Sequence, residues 1–249
     1  MQTLGKQARC VTEDQLNYLA LCNRLKLECG VQGDPMTTTV GNTGILKKLC
    51  DWVWLAYRQI ENERQWMWMY QTATLEVPAG VSSVPMLVSG GCQQVDEKVL
   101  FTFDASLTPQ TAVMTPLRLL PYRELLRQFY AQPLAVGQPQ VGALNPVDGS
   151  LWLNALADKP YSLYLGYWRE TQDLQSAVPV AADDLALPGM PQRHHMAIVY
   201  KAMQMYAAHE NAPEVMAFAS QMYEEIYAEL QAAQLPQIEM AHVHLLAVR

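Results

Sequence analysis

Two histidine pairs are the residues of this chain best suited to chemistry. His194-His195 are adjacent, and His242 and His244 flank Val243 so that both would fall on one face of a strand. Paired imidazoles at such spacings can ligate a metal or relay a proton. A metal needs further ligands, and the neighbouring carboxylates, Asp183, Asp184 and Glu239, complete no triad at a diagnostic spacing. The expectation is no metal, with His194 and His195 a surface pair at a helix start, so that replacing both by Gln leaves assembly intact. Gly41-Asn42-Thr43-Gly44, followed by Lys47 and Lys48, has the outline of a phosphate loop at a helix N-terminus, but it lacks the Walker spacing and no strand precedes it. It reads as a helix cap. Gly90-Gly91-Cys92 could present a thiol, yet no histidine or acid sits beside it, so a turn is expected there. No catalytic constellation is left, and an enzyme is not expected.

Trp52, Trp54, Trp66 and Trp68 are dense enough to suggest a platform on which bases or sugars stack. Trp52 falls on the apolar stripe of a helix, and Trp66 and Trp68 fall where that helix hands over to strands, so a core role is expected. The five cysteines, Cys10, Cys22, Cys29, Cys50 and Cys92, are an odd number without metal-ligand spacing and read as buried free thiols.

The formal net charge of −7 opposes a nucleic-acid grip, which requires clustered Lys and Arg. Excess acid lies in the middle and C-terminal parts: residues 70–190 hold eleven Asp and Glu against six Lys and Arg, and residues 191–249 hold six against three. No apolar run has the length of a membrane span, and Met1-Gln2-Thr3-Leu4-Gly5-Lys6 lacks the layout of a secretory signal. Synthesis in the cytosol, with no membrane partner and no cofactor, is the expectation.

Hydrophobic period organises the chain. Thr12 reads as the N-cap of a first helix placing Leu16, Leu19, Ala20, Asn23 and Leu27 at helical spacing, stopped by Gly30 and Gly33-Asp34-Pro35. A second helix starts at Asn42 or Thr43, whose side chain would cap it, and sets Ile45, Leu49, Trp52, Val53, Ala56 and Ile60 on one stripe. After Trp68 the period becomes that of strands, over 69–77, 98–103, 116–120, 138–144, 150–156 and 161–168, with a short helix over 122–130 and a hairpin through Ala157-Asp158-Lys159-Pro160. From Pro191 helices return: Met196, Val199, Tyr200, Met203 and Tyr206, then a turn at Asn211-Ala212-Pro213, then Met216, Ala219, Tyr223, Ile226 and Leu230. Two helices joined by so short a turn pack antiparallel.

The predicted fold is α+β. Residues 10–69 and 191–232 form a helical bundle, 70–190 an inserted antiparallel β-rich lobe, and 233–249 a C-terminal arm. The bundle core is expected to comprise Leu49, Trp52, Ala56, Ile60, Trp66 and Trp68 with Val199, Met203, Tyr206, Tyr223 and Ile226. The arm alternates like a strand beyond Leu235-Pro236 with nothing left in the chain to pair with. His242, Val243, His244, Leu245 and Leu246 are therefore its candidate docking residues, on a neighbouring chain.

The Thr37-Thr38-Thr39 and Gly41-x-x-Gly44 lead-in, the helix Leu49-Cys50-Asp51-Trp52-Val53-Trp54-Leu55-Ala56-Tyr57-Arg58-Gln59-Ile60, the Trp66-x-Trp68 pair, the strand-rich insertion and the closing block Pro188 to Tyr206 occur in one order. That order, over most of residues 10–232, resembles the adaptor, or head completion, proteins that tailed bacteriophages attach beneath the portal ring. The resemblance implies a structural virion protein of the neck: a homo-oligomeric ring, dodecameric, bound to portal above and to a tail or nozzle protein below. It implies that the ring helps retain and conduct double-stranded DNA, which passes without specific binding. Another neck or tail-completion protein is the alternative within the same biology, and a small metal-binding hydrolase is the alternative outside it.

Overall fold

The computed structural model describes residues 16–86 and 88–235, which combine helices with largely antiparallel sheets in an α+β fold. They form two compact units: residues 16–68 with 172–235, and residues 69–171. Thr12 and the arm residues 236–249, including His242 to Leu246, lie outside the described residues.

The first unit is helical. Helix α1 (Tyr18–Glu28) is capped by Asn17, whose side chain accepts from the Ala20 N–H at 2.9 Å. Its buried face is Tyr18, Leu21, Cys22 and Leu25, while Leu27, expected on that face, is 69% exposed. The predicted stripe was one position out of phase, because Leu16, Ala20 and Leu27 share a helical spacing as regular as the true one. Helix α2 (Gly44–Glu63) buries Leu49, Val53, Ala56 and Ile60 as its period requires, with Ile45 and Trp52 only half-buried. Thr43 stands at its N-cap position without making the expected side-chain capping bond.

After the second unit and the short helix α3 (Tyr122–Phe129) within it, the helical unit resumes with α4 (Met196–Glu210) and α5 (Pro213–Gln234). Asn211, in the left-handed region at φ 54°, ends α4, and Pro213 opens α5 where its missing N–H costs nothing. Helix α4 packs against both α2 and α5, and α1 packs against α2 and α4. Contact on several sides explains why Ala197, Ile198, Val199, Tyr200, Ala202, Met203 and Ala207 are all buried, a wider band than one stripe. Outer helix α5 buries only Ala219, Tyr223 and Leu230, so Ile226 is half-buried, as is Tyr206 on α4. The chain rejoins this unit at Gln172, well before the expected return at Pro191. Its 172–190 stretch carries no helical period, yet Gln172 N donates to Glu61 and Ala186 O accepts from Tyr18 N.

The described residues of the second unit form strands β1 (Tyr70–Val77), β2 (Ser83–Val84), β3 (Gln94–Asp104), β4 (Thr115–Pro116), β5 (Arg118–Leu119), β6 (Ala135–Val136), β7 (Val141–Leu144), β8 (Leu151–Leu153), β9 (Ala155–Leu156) and β10 (Tyr161–Trp168). They form sheets ordered β1-β10-β3-β4, β2-β8-β7-β5 and β6-β9. Central β10 is buried at six of eight positions, and Leu100, Leu163, Leu165, Leu151 and Leu153 meet in the core of this unit. Two pairings, β5 with β7 and β6 with β9, are parallel, so the lobe is not wholly antiparallel. The hairpin expected through 157–160 does not form: β9 pairs with β6, whereas β10 pairs with β1 and β3. Pro160 and the Asp158 side chain, which accepts from the Tyr161 hydroxyl, carry the chain from one sheet to another.

Gly166 shows how finely β10 is fitted. The register with β3 shifts between Leu165 and Gly166, and a Cβ at Gly166 would overlap the hydroxyl of Tyr70, which reaches past it to donate to Asp96 at 3.1 Å. Gly166→Ala should lower stability by about 1–3 kcal/mol, the range for overpacking a closed site. Gly137→Ala, where a Cβ meets nothing within 4 Å, should stay within about 0.5 kcal/mol of wild type. Urea denaturation of the two variants checks both, and equal losses would contradict this account.

Candidate functional site

The residues with catalytic potential are already committed to holding the fold. His194 is 2% exposed and His195 3%, so the pair is not at the surface as expected. Pro191 sends the chain inward through a short turn, Gln192–His194, which packs on α4 and α5. Arg193 Nε donates to His194 Nε2 at 2.9 Å, and His195 Nε2 contacts the Met190 carbonyl at 3.1 Å, donating the proton. Burial pushes both imidazoles below their ordinary range, and for His194 the Arg193 guanidinium adds to that while Glu229 opposes it.

Asp183 and Asp184, the nearest candidate metal carboxylates, are likewise occupied. Asp183 accepts from Ser176 N, Ser176 Oγ and Val180 N at 2.8–3.1 Å. Asp184 Oδ1 accepts from Thr39 N at 2.7 Å and Thr39 Oγ1 at 2.6 Å. Burial raises both carboxyls, but these donors outweigh it and hold them below the usual carboxylate range. The threonines of the 37–44 lead-in thus face a carboxylate, where a phosphate loop would need to receive an anion. Asn42 Nδ2 closes the loop on Thr38 O at 2.8 Å. Among the described residues no three His, Cys, Asp or Glu side chains are grouped to hold a metal.

Gly90 and Gly91 have φ of 74° and 70°, and a Cβ on Gly91 would stand 2.7 Å from the Glu170 carboxyl carbon. The segment is a turn, and burial pushes the half-buried Cys92 thiol up, away from the thiolate a nucleophile requires.

The tryptophans divide by role. Trp66 is fully buried, donates to Ile60 O at 2.6 Å, stacks on Trp68 at 4.7 Å and meets Tyr227 edge-on at 5.9 Å. Trp68 and Trp52 are half-buried, the latter edge-on to Tyr206 at 6.1 Å. Trp54 faces outward: its Nε1 donates to Asp173 at 3.2 Å and the Arg58 guanidinium lies 4.9 Å above its ring. Beside it opens a cleft of about 430 Å³ lined by Lys47, Asp51, Asp173 and Gln175. Leu16, just ahead of α1, and Ala20 and Leu27 on it join Val31 and Pro35 in an apolar groove of about 340 Å³. Helix α5 presents Glu214, Glu224, Glu225 and Glu229 with no Lys or Arg in its sequence, and Phe218 stays 47% exposed.

Sequence reasoning overlooked Glu61, a fully buried carboxylate. It accepts from Tyr57 Oη at 2.6 Å, Trp68 Nε1 at 3.4 Å and Gln172 N at 2.9 Å, and the same Tyr57 hydroxyl accepts from Gly189 N at 2.9 Å. An acid on the apolar stripe of α2, four residues after a tyrosine, was the available signal.

Two measurements test these assignments. Because the folded histidines have depressed pKa values, the unfolded chain takes up protons first. Their contribution is intact above about pH 6.5, the unfolded value, and is lost as the pH falls from there through the lower folded-state pKa values. Thermal melts should therefore show Tm dropping below about pH 6.5, with a shallower slope in His194→Gln/His195→Gln, which should also melt lower at neutral pH because both sites are buried. Glu61→Leu should cost about 3 kcal/mol by stranding the buried Tyr57 hydroxyl and two part-buried donors, and Glu61→Gln, which keeps an acceptor, distinctly less. Urea titrations giving equal losses would contradict the role of the carboxylate.

The sequence matches the SU10 adaptor protein family over residues 16–241, nearly the whole chain, and the protein belongs to that family of phage head–tail adaptors. Among curated proteins none matches the chain. It is thus a structural protein of a bacteriophage virion.

Proposed function

We propose that this member of the SU10 adaptor family assembles as a homo-oligomeric ring, a dodecamer, beneath the portal. There it joins the DNA-filled head to a tail or nozzle protein and helps retain and conduct the genome. The observation that carries the reading is the family match over residues 16–241. Its physical support is a helical unit whose buried acids accept hydrogen bonds from within the unit, leaving a stiff wall to build with. The lobe of residues 69–171 supplies a second face for a partner. A dozen copies, each at −7, make a strongly acidic collar that repels passing double-stranded DNA instead of binding it. Among the described residues no helix is long and apolar enough to cross a membrane.

In this reading residues 236–249 form an arm that leaves its subunit and adds to the portal or to an adjacent copy, with Val243 and Leu245 on one side and His242 and His244 on the other. Leu246 continues the apolar contact. Electron microscopy of virion necks should show the ring directly under the portal; density for a different protein there would replace this assignment with a tail-completion role. Removing residues 236–249 should leave the melting transition intact while weakening portal binding by at least tenfold, about 1.4 kcal/mol. Unchanged affinity in a pull-down titration would remove the arm from the interface.

A further inference from the structure

Helices α2 and α5 flank α4. On α4, Tyr206 and His209 reach Trp52 and Lys48 of α2, whereas Tyr200, Lys201 and Gln204 reach Phe218, Tyr223 and Ser220 of α5. At about 3.6 residues per turn these two sets lie on nearly opposite sides of α4, so the outer faces of α2 and α5 point away from each other. The two helices also run the same way. From Tyr206 to His209 the partner on α2 steps back from Trp52 to Lys48, which makes α2 antiparallel to α4, and the turn at Asn211 makes α5 antiparallel to α4 as well.

The two outer faces carry opposite charges at one spacing. On α2 the exposed Lys47 and the half-buried Arg58 stand eleven residues apart, and on α5 the exposed Glu214 and Glu225 also stand eleven apart, about three turns in each helix. Between them Trp54 borders the open cleft beside α2, and Phe218 on α5 is 47% exposed. Helix α5 brings four glutamates and no Lys or Arg to its surface. Asp51 lies on the α2 face and Asp173 stands 3.5 Å from Arg58, so that face is mixed in sign and the match is one of position.

We propose that the outer face of α2 in one copy seats on the outer face of α5 in the next, and that this contact, repeated, closes the ring. The partner is a second copy of this chain, and the inference rests on the ring reading above. Different faces on opposite sides of one unit make a head-to-tail contact that closes by rotation, whereas a self-complementary face would stop at a dimer. The small rotation between neighbours in a large ring leaves helix directions nearly unchanged, so α2 meets the neighbouring α5 in parallel. That register sets Lys47 level with Glu214 and Arg58 level with Glu225. Trp54 and the neighbour's Phe218 then lie about 4.5 Å apart along the axis, close enough for their rings to meet.

The test mixes unlabelled and nitrogen-15-labelled full chain, assembles it alone and on purified portal, and treats it with a carbodiimide, which joins an ammonium to a carboxylate in direct contact. Mass spectrometry should find a Lys47–Glu214 linked peptide of mixed label, formed between chains. Lys47→Glu and Glu214→Lys, both at exposed positions, should leave Tm nearly unchanged. Each should lower the ring fraction in native mass spectrometry by about tenfold or more, because like charges then meet at every junction, and the double exchange should restore it. A wild-type chain that forms no ring, alone or on portal, overturns the ring reading and this interface with it. A wild-type ring that yields no such link, that both single reversals leave intact, or that the exchange fails to restore overturns the interface alone.

Discussion

The helical unit depends on one buried carboxylate. Glu61 sits on the apolar face of α2, where an unpaired charge would be prohibitively costly, and it is tolerated because the Tyr57 hydroxyl, the Trp68 indole and the Gln172 amide all donate to it. Trp68 is the last residue before the chain leaves this unit and Gln172 the first on its return. Both residues therefore bond the same side chain. Tyr57 extends the set to Gly189, just ahead of the buried histidine turn.

Other polar anchors repeat this arrangement on a smaller scale. Asp183 gathers Ser176 and Val180, Asp184 gathers Thr39, and Lys26 donates to the carbonyls of Gly33 and Asp34. Each ties down a stretch between the longer helices by hydrogen-bonding its part-buried backbone groups. An adaptor gains from this economy. The exposed Leu27 and Phe218 and the α5 glutamates lie on the surface of this framework.

Several elements were legible because their periods are unambiguous. The α2 stripe Leu49, Val53, Ala56 and Ile60, the α4–α5 turn at Asn211-Ala212-Pro213, and strand β10 over Tyr161 to Trp168 follow from spacing and turn chemistry that no tertiary contact overrides. The family was legible too, since blocks such as Thr37 to Ile60 and Pro188 to Tyr206 keep their order along the chain.

What only the tertiary structure decided concerns residues whose role depends on partners far away in sequence. Which face of α1 is buried turned on Tyr18 reaching Cys50, which local spacing cannot distinguish from the rival face through Leu27. His194 and His195 went inside because the turn after Pro191 packs on α4 and α5, and β10 chose β1 and β3 over its sequence neighbour β9. Hydrophobic period is a property of a few consecutive turns, so the sequence by itself determined which segments are helix or strand and the family to which they belong. Partner choice and the burial of polar groups are settled by long-range contacts, and those belong to the folded chain alone.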